Sequence, residues 1–375
     1  MAIRILQIVT YMGRGGLETM LMNYYRHINR NNIQFDFLVH RDFEADYDKE
    51  ICDLGGKIYR LPPLNPISKT YQNSLETFFR EHKEYKVVHS HLDCMAGIPL
   101  KFAKKNGVPI CIAHAHNSNQ TKDKKYLLKL FYKRNIAKYS DFLFACGEEA
   151  GNWMFGGKKY FVLNNAIDAS EYIFNAEIRR RIRESFVIDQ TTLLVGHVGR
   201  FAPQKNHKML IDIYEAMKKR VPNSKLLLVG VGDLMEQIRS DVSCRKLQDN
   251  VIFAGLRSDV PELLQAMDVF LFPSINEGLP VSIIEAQAAG LPCVISDGVP
   301  TECKKTELIF QKSLKDDVDL WVDAVLEAAK IERRNTFEEI VKSGFDVSHE
   351  AKKLEKFYQD CYVYYDHKEK IQWQQ

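Results

Sequence analysis

Two carboxylates, Glu277 and Glu285, bracket the stretch INEGLPVSIIEAQ (275–287). Neither has a His or Cys companion at metal-ligand spacing. Acceptance of protons from the hydroxyls of a polyol, such as a sugar or a ribose, is the chemistry that suits such a pair. The preceding FPS reads as a strand end, INEGLP as a loop, and VSIIEAQAAG as a helix. Glu277 is therefore expected just before a helix start and Glu285 about two turns into it. A solvated helix face also explains Glu285. The backbone at that start, around Gly278, Leu279, Pro280 and Val281, offers N–H groups, none of them from Pro280, that suit an anion.

Cationic residues of the right kind stand upstream. GHVGRFAPQKNH (196–207) places Arg200 and Lys205 in a loop after a strand. A forked guanidinium and a compact ammonium both suit phosphate oxygens. An isolated pair of this kind is also an ordinary solvated loop. Two glycine-rich strand ends accompany it. YMGRGGLE (11–18) contains Gly15 and Gly16, and VGVGDLME (229–236) contains Gly232. Glycine permits close backbone approach to a ligand. Neither completes the dinucleotide fingerprint, because Glu18 and Met235 stand where its last glycine belongs, which argues against a dehydrogenase. Histidines occur in two HxH pairs, His89 with His91 and His114 with His116, each closing a predicted strand. Paired imidazoles invite a metal reading. No acid or cysteine accompanies them at ligand spacing, so no metal is expected.

The elements that position these residues alternate. Strands are predicted at 3–10, 35–40, 57–62, 86–91, 109–116 and 141–147, with a helix at 15–28 after the first. The pattern restarts at 191–200 and continues at 224–232, 250–256, 268–274 and 292–297. Such alternation predicts parallel βαβ units. Two tandem Rossmann-like α/β domains follow, with boundaries expected at 1–168 and 169–350. A charged C-terminal helix, 350–375, is expected to pack back on the first domain. Ligands of open parallel sheets sit at the carboxyl ends of the strands, so the cleft between the domains is the expected site.

Bulk properties exclude several classes. The 375 residues carry a formal charge of +3. Residues 1–170 hold 24 Lys and Arg against 17 Asp and Glu, and the remainder holds 28 against 32. The first half is modestly basic, but its basic patch is too small and lies on one helix, so no nucleic-acid partner is expected. The eight cysteines show no CxxC spacing and read as reduced, packed thiols. No apolar run approaches a membrane span, and the N-terminus does not read as a signal peptide. A cytoplasmic protein is expected.

Taken together, the glycine-rich first turn, GRFAPQKN (199–206) and EGLPVSIIE (277–285) resemble the GT-B-fold glycosyltransferases of family 4, including their E-x7-E motif. The resemblance covers essentially the whole chain and keeps the family's order. It implies retaining transfer of a sugar from a nucleotide-sugar, with UDP expected over GDP or ADP, and no obligatory cofactor. It implies that Arg200 and Lys205 hold the donor diphosphate, with Gly15, Gly16 and Gly232 close to it. Glu285 would take the ribose hydroxyls, and Glu277 hydroxyls of the transferred sugar. Backbone groups at Leu256 and Arg257 would meet the base. His116 would lie beside the anomeric carbon. One departure stands in NAID (165–168), where many members carry glycine in place of Ala166.

The acceptor is addressed by TKDKKYLLKLFYKRNIAKYSD (121–141), which has seven basic and two acidic residues interleaved with apolar ones. A basic amphipathic helix suits an anionic membrane surface, and equally an ordinary surface helix. The resemblance implies a lipid-linked glycan acceptor in capsule or exopolysaccharide synthesis, with peripheral membrane contact through 121–139. A nucleotide-sugar epimerase of the same fold and a non-catalytic nucleotide-sugar-binding subunit are the alternatives.

Overall fold

The computed structural model describes residues 2–117 and 126–367. The chain divides into two compact units, Met1–Ile167 with Asp346–Gln375, and Asp168–Phe345.

The first unit is built on a sheet of seven strands. These are β1 (Ile3–Ile8), β2 (Ile33–Val39), β3 (Ile58–Arg60), β4 (Val87–Ser90), β5 (Ile110–Ala115), β6 (Phe142–Ala145) and β7 (Phe161–Val162). Their order is β3-β2-β1-β4-β5-β6-β7, all parallel. Every residue of β2 and of β5 is buried, as befits strands covered on both faces. The helix Val347–His367 belongs to this unit and places Leu354, Phe357, Tyr358 and Cys361 in a core with Ile5, Tyr24, Phe35 and Phe144.

The second unit has six parallel strands. They are β8 (Leu193–Val198), β9 (Ser224–Val229), β10 (Val251–Gly255), β11 (Val269–Phe272), β12 (Cys293–Ser296) and β13 (Ile309–Lys312). Their order is β10-β9-β8-β11-β12-β13. Val195, Leu226, Leu228, Val269, Leu271 and Val294 form one core with Trp321 and the helix residues around it.

The two sheets share one logic. In each, the order reverses beside the first strand, between β1 and β4 and between β8 and β11. Loops leave the carboxyl ends of neighbouring strands in opposite directions there and open a crevice. The loops after β1, β4, β8 and β11 carry Gly15, His91, Arg200 with Lys205, and Glu277. The two strands that sequence periodicity misses, β7 and β13, are short and half-buried edge strands. None of the eight cysteines forms a disulfide. Ala166 is buried and lies outside the left-handed region, so the missing glycine costs nothing there. Its carbonyl accepts a hydrogen bond from Asn23 Nδ2 at 3.1 Å.

Candidate active site

In the second unit, three loops interlock around Glu277. The Ile275 N–H donates to the Gln204 carbonyl at 2.8 Å, and the Glu277 N–H to the Gly298 carbonyl at 3.0 Å. A Cβ on Gly298 would meet the Ile275 carbonyl at 2.3 Å, so only glycine lets these backbones approach. Asn206, in the left-handed region, sends Nδ2 to the Pro273 carbonyl at 3.1 Å. The loop after β11 is thus clamped between those after β8 and β12.

The clamp fixes a charged cluster. Lys205 Nζ stands 2.7 Å from Glu277 Oε1 and 4.6 Å from the centre of the Phe272 ring. Ser274 Oγ donates to the same Oε1 at 2.6 Å, and Gln204 Nε2 to Oε2 at 3.1 Å. Glu277 is buried, and these three contacts on its two oxygens fix the carboxylate in place. Arg200 is different. Its side chain is 73% exposed, and Asp233, 92% exposed, lies 3.9 Å away. A pair so exposed contributes little, and the guanidinium is available to an anion. Gly232 closes on this loop, since a Cβ there would meet the Phe201 carbonyl at 2.4 Å.

Pro280 stands at the N-cap of the helix Val281–Ala288, and no side chain caps it. Its first turn carries no acid, so its free N–H groups present a partial positive charge. Glu285 lies only about one turn in, not two, because it stands four positions past Val281. It does not join the Glu277 cluster. The Tyr172 hydroxyl donates to Glu285 Oε1 at 3.0 Å, and Gln265 Nε2 holds the Tyr172 carbonyl at 3.0 Å. Burial pushes the Glu285 carboxyl up to about 6, against the opposing pull of the Tyr172 hydrogen bond. Leu256 is exposed just past β10, and Arg257 pairs with Asp259 at 2.7 Å.

In the first unit, Gly15 caps the helix Gly16–His27 without a side-chain hydrogen bond. Gly16 is open, with nothing within 4 Å of a built Cβ. At Gly15 such a Cβ would fall 2.2 Å from Glu18 Oε2, so this turn already holds a carboxylate. Burial raises the Glu18 carboxyl.

The four histidines share one sheet face. His89 is the register partner of Gln7 and of Ile112, which puts His91 beside His114. The rings lie 4.3 Å apart for His89 and His91, and 4.1 Å for His114 and His116. Burial lowers all four, His116 to about 3, so all are neutral at physiological pH. Nitrogens of His89, His91 and His114 come within 4.8 Å of one another, the one such group among the described residues. Metal ligation requires in-plane lone pairs that converge on a point. These rings stack instead, with planes 26° apart for His89 and His91 and 19° for His89 and His114. Both ring nitrogens of His91 are already engaged, with Gln7 and with His116. Asp93 completes the group. It sits at φ +46, accepts the His116 N–H at 2.8 Å through Oδ1, and accepts Asn117 Nδ2 at 2.6 Å through Oδ2. A non-glycine residue held there is a strained backbone, of the kind that collects at functional sites.

Sequence reasoning misses Ser274, Gln204, Tyr172, Gln265, Asp93 and Gln7. Ser274 and Gln204 adjoin residues already singled out, and proximity was a usable signal. Tyr172 and Gln265 meet their partners across about a hundred residues, which spacing does not reveal. Residues 118–125, which include the first part of the basic segment, lie outside the described residues. The helix Tyr126–Lys133 has no fully buried residue and exposes Leu127 and Phe131, 79% and 58%.

The chain matches two glycosyltransferase family models, one in each unit. Residues 14–171 match the family described as Glycosyltransferase Family 4, and residues 178–338 that described as Glycosyl transferases group 1. EpsF of Bacillus subtilis (strain 168) is 33% identical over 92% of this chain and 93% of its own. The UDP-Gal:alpha-D-GlcNAc-diphosphoundecaprenol alpha-1,3-galactosyltransferase of Escherichia coli is 27% identical over 75% of this chain and 77% of its own. HepE of Anabaena, crystallised with UDP, superposes with a TM-score of 0.78 at 17% identity, over 95% of this chain and all of that one.

Proposed function

From a chain that belongs to the GT-B glycosyltransferases of family 4, in the branch that builds capsular and exopolysaccharides, we propose a specific reaction. The enzyme moves a sugar from a UDP-sugar to a lipid-linked glycan, with retention at the anomeric carbon and without an obligatory metal. The observation that carries this reading is the clamped cluster of Lys205, Glu277, Ser274 and Gln204 beside an uncapped helix start. A cation, a fixed carboxylate and free N–H groups together suit a sugar diphosphate.

The roles are those that the family resemblance implies. Arg200 and the start of the helix Val281–Ala288 take the diphosphate, with Lys205 joining them while bonded to Glu277. Glu277 accepts hydroxyl protons of the transferred sugar, and Glu285 those of the ribose. Leu256 and Arg257 offer backbone groups to the base, and Gly15 and Gly16 allow phosphate oxygens close to the backbone. His116 contacts a hydroxyl near the anomeric carbon. In the reaction, the anomeric carbon–oxygen bond to the diphosphate breaks and a bond to the acceptor oxygen forms on the same face. The acceptor proton passes to the leaving phosphate. Charge grows on the diphosphate, where the fixed cation and N–H donors stabilise it. The basic helix face suits the anionic membrane that carries a lipid-linked acceptor, and no helix among the described residues is long and apolar enough to cross a membrane. The relatives support donor and acceptor class. HepE binds UDP in its crystals, and the E. coli relative is named for a UDP-Gal donor and a diphosphoundecaprenol acceptor.

Thermal shift with UDP, GDP, ADP and their sugars, with and without EDTA, tests the donor. An EDTA-insensitive shift with UDP compounds, lost in Arg200→Ala, is the expected result. A shift that EDTA abolishes contradicts metal independence, and no shift at all removes the donor site.

A further inference from the structure

A chain of hydrogen bonds runs from the C-terminal helix to His116. Gln7 Nε2 donates to the Tyr358 hydroxyl at 3.2 Å, and that hydroxyl lies 2.8 Å from His89 Nδ1. Gln7 Oε1 lies 2.8 Å from His91 Nε2, and His91 Nδ1 lies 2.9 Å from His116 Nε2. Gln7, His89 and His91 are buried, and burial holds the imidazoles neutral, so each ring carries one proton.

Neutral rings make this chain all-or-none. An amide oxygen only accepts, so His91 carries its proton on Nε2 and gives it to Gln7. Nδ1 of His91 is then an acceptor, and His116 must present Nε2–H to it. His116 Nδ1 is left with the lone pair, and it has no partner among the described residues. Turning the Gln7 amide over would reverse every donor and put the proton on His116 Nδ1 instead. No mixed arrangement satisfies all the bonds.

We infer that Gln7, through His91, is a positioning residue that sets the tautomer of His116 and so makes its Nδ1 a hydrogen-bond acceptor for a substrate hydroxyl. The ring's contact with substrate rests on the function proposed above. The relay itself does not. Asp93 serves the same end from the backbone side, since it holds the His116 N–H and so fixes where the ring starts. In this arrangement His116 is neither a general acid nor a cation. It reads the hydroxyl as an acceptor, the role that a carboxylate plays at Glu277.

The test is the protonation pattern of His116 in full-length protein labelled with 15N-histidine. Long-range 1H–15N spectra distinguish the two tautomers, and His116→Gln assigns the signal. Wild type is expected to show Nε2–H. Gln7→Met removes the acceptor for His91, and the His116 signal is expected to become a tautomer mixture. Turnover should then fall about tenfold with little change in donor KM. Gln7→Glu, whose carboxylate accepts as the amide oxygen does, should retain Nε2–H and most of the turnover. His116 with Nδ1–H in wild type, or a His116 tautomer unmoved in Gln7→Met, overturns the relay. If Gln7→Met does not fold, Gln7→Glu decides, because loss of Nε2–H there also overturns it. An intact relay in a wild-type protein that transfers no sugar contradicts the proposed function and leaves the relay standing.

Discussion

Lys205 Nζ and Glu277 Oε1 stand 2.7 Å apart, with side chains only 17% and 7% exposed. A pair this dry is costly to break by halves, because the survivor is a buried charge without its counter-ion. Lys205→Ala is expected to destabilise the second unit by about 3–5 kcal/mol, read by urea unfolding. Lys205→Met with Glu277→Gln should recover most of that stability, while turnover stays lost. A double variant as unstable as Lys205→Ala would show that the pair is not what holds the loops.

Arg200 gives the opposite separation. Its exposed side chain has little to do with folding, so Arg200→Ala should unfold like wild type. If it meets growing charge on the diphosphate, kcat/KM should drop on the order of 10²–10³-fold. Steady-state kinetics beside a melting curve checks both halves.

Glu285 makes stability depend on pH. Its folded pKa, about 6, exceeds the ordinary 4.5, so the folded state holds the proton more tightly than the unfolded chain. The resulting stability is fully present below pH 4.5 and lost as pH rises through 6, a difference of about 2 kcal/mol. Glu285→Gln should therefore be more stable than wild type at pH 7 and lose that advantage by pH 4.5. UDP binding by wild type should weaken below pH 6, as the carboxylate that accepts ribose protons becomes protonated. Unfolding and calorimetric titration across pH 4.5–7.5 read both.

How much of this was legible in sequence depends on how far apart the partners lie. Strands β1 to β6 and β8 to β12 follow from short apolar runs that alternate with amphipathic or polar stretches. β7 and β13 do not, because two- and four-residue edge strands bury too little to leave a pattern. Arg200, Lys205 and Glu277 stand out as charged residues in glycine-bearing loops, and Glu285 as a carboxylate in an otherwise apolar helix. That Lys205 is tied to Glu277, and Glu285 to Tyr172, depends on which loops the sheet order brings together. Gln7 offered no signal at all. A single glutamine in a strand acquires meaning only when Tyr358, 351 residues on, comes down beside it.

Tyr172 bonds Glu285 Oε1 at 3.0 Å. Tyr172→Phe should leave the carboxylate unoriented and raise the Kd for UDP about tenfold, with no effect on binding of free UMP-less sugar phosphates. Isothermal titration with UDP and with a hexose 1-phosphate separates a ribose effect from a general one.

The helix Tyr126–Lys133 offers Leu127 and Phe131 to solvent among basic residues. Co-sedimentation with anionic vesicles should exceed that with neutral ones and fall in Leu127→Ser/Phe131→Ser. Equal sedimentation with both lipids would contradict membrane contact.

The account's central claim is retaining transfer from a UDP-sugar to a lipid-linked glycan. The most direct measurement incubates the protein with a panel of UDP-sugars and polyprenyl-diphosphate glycans and follows the product by NMR. The account predicts a new glycosidic bond whose anomeric configuration equals that of the donor, formed in EDTA and formed on the order of 10²–10³-fold more slowly in Arg200→Ala. A product of inverted configuration, or a donor converted to its epimer without any glycosidic bond, would contradict it.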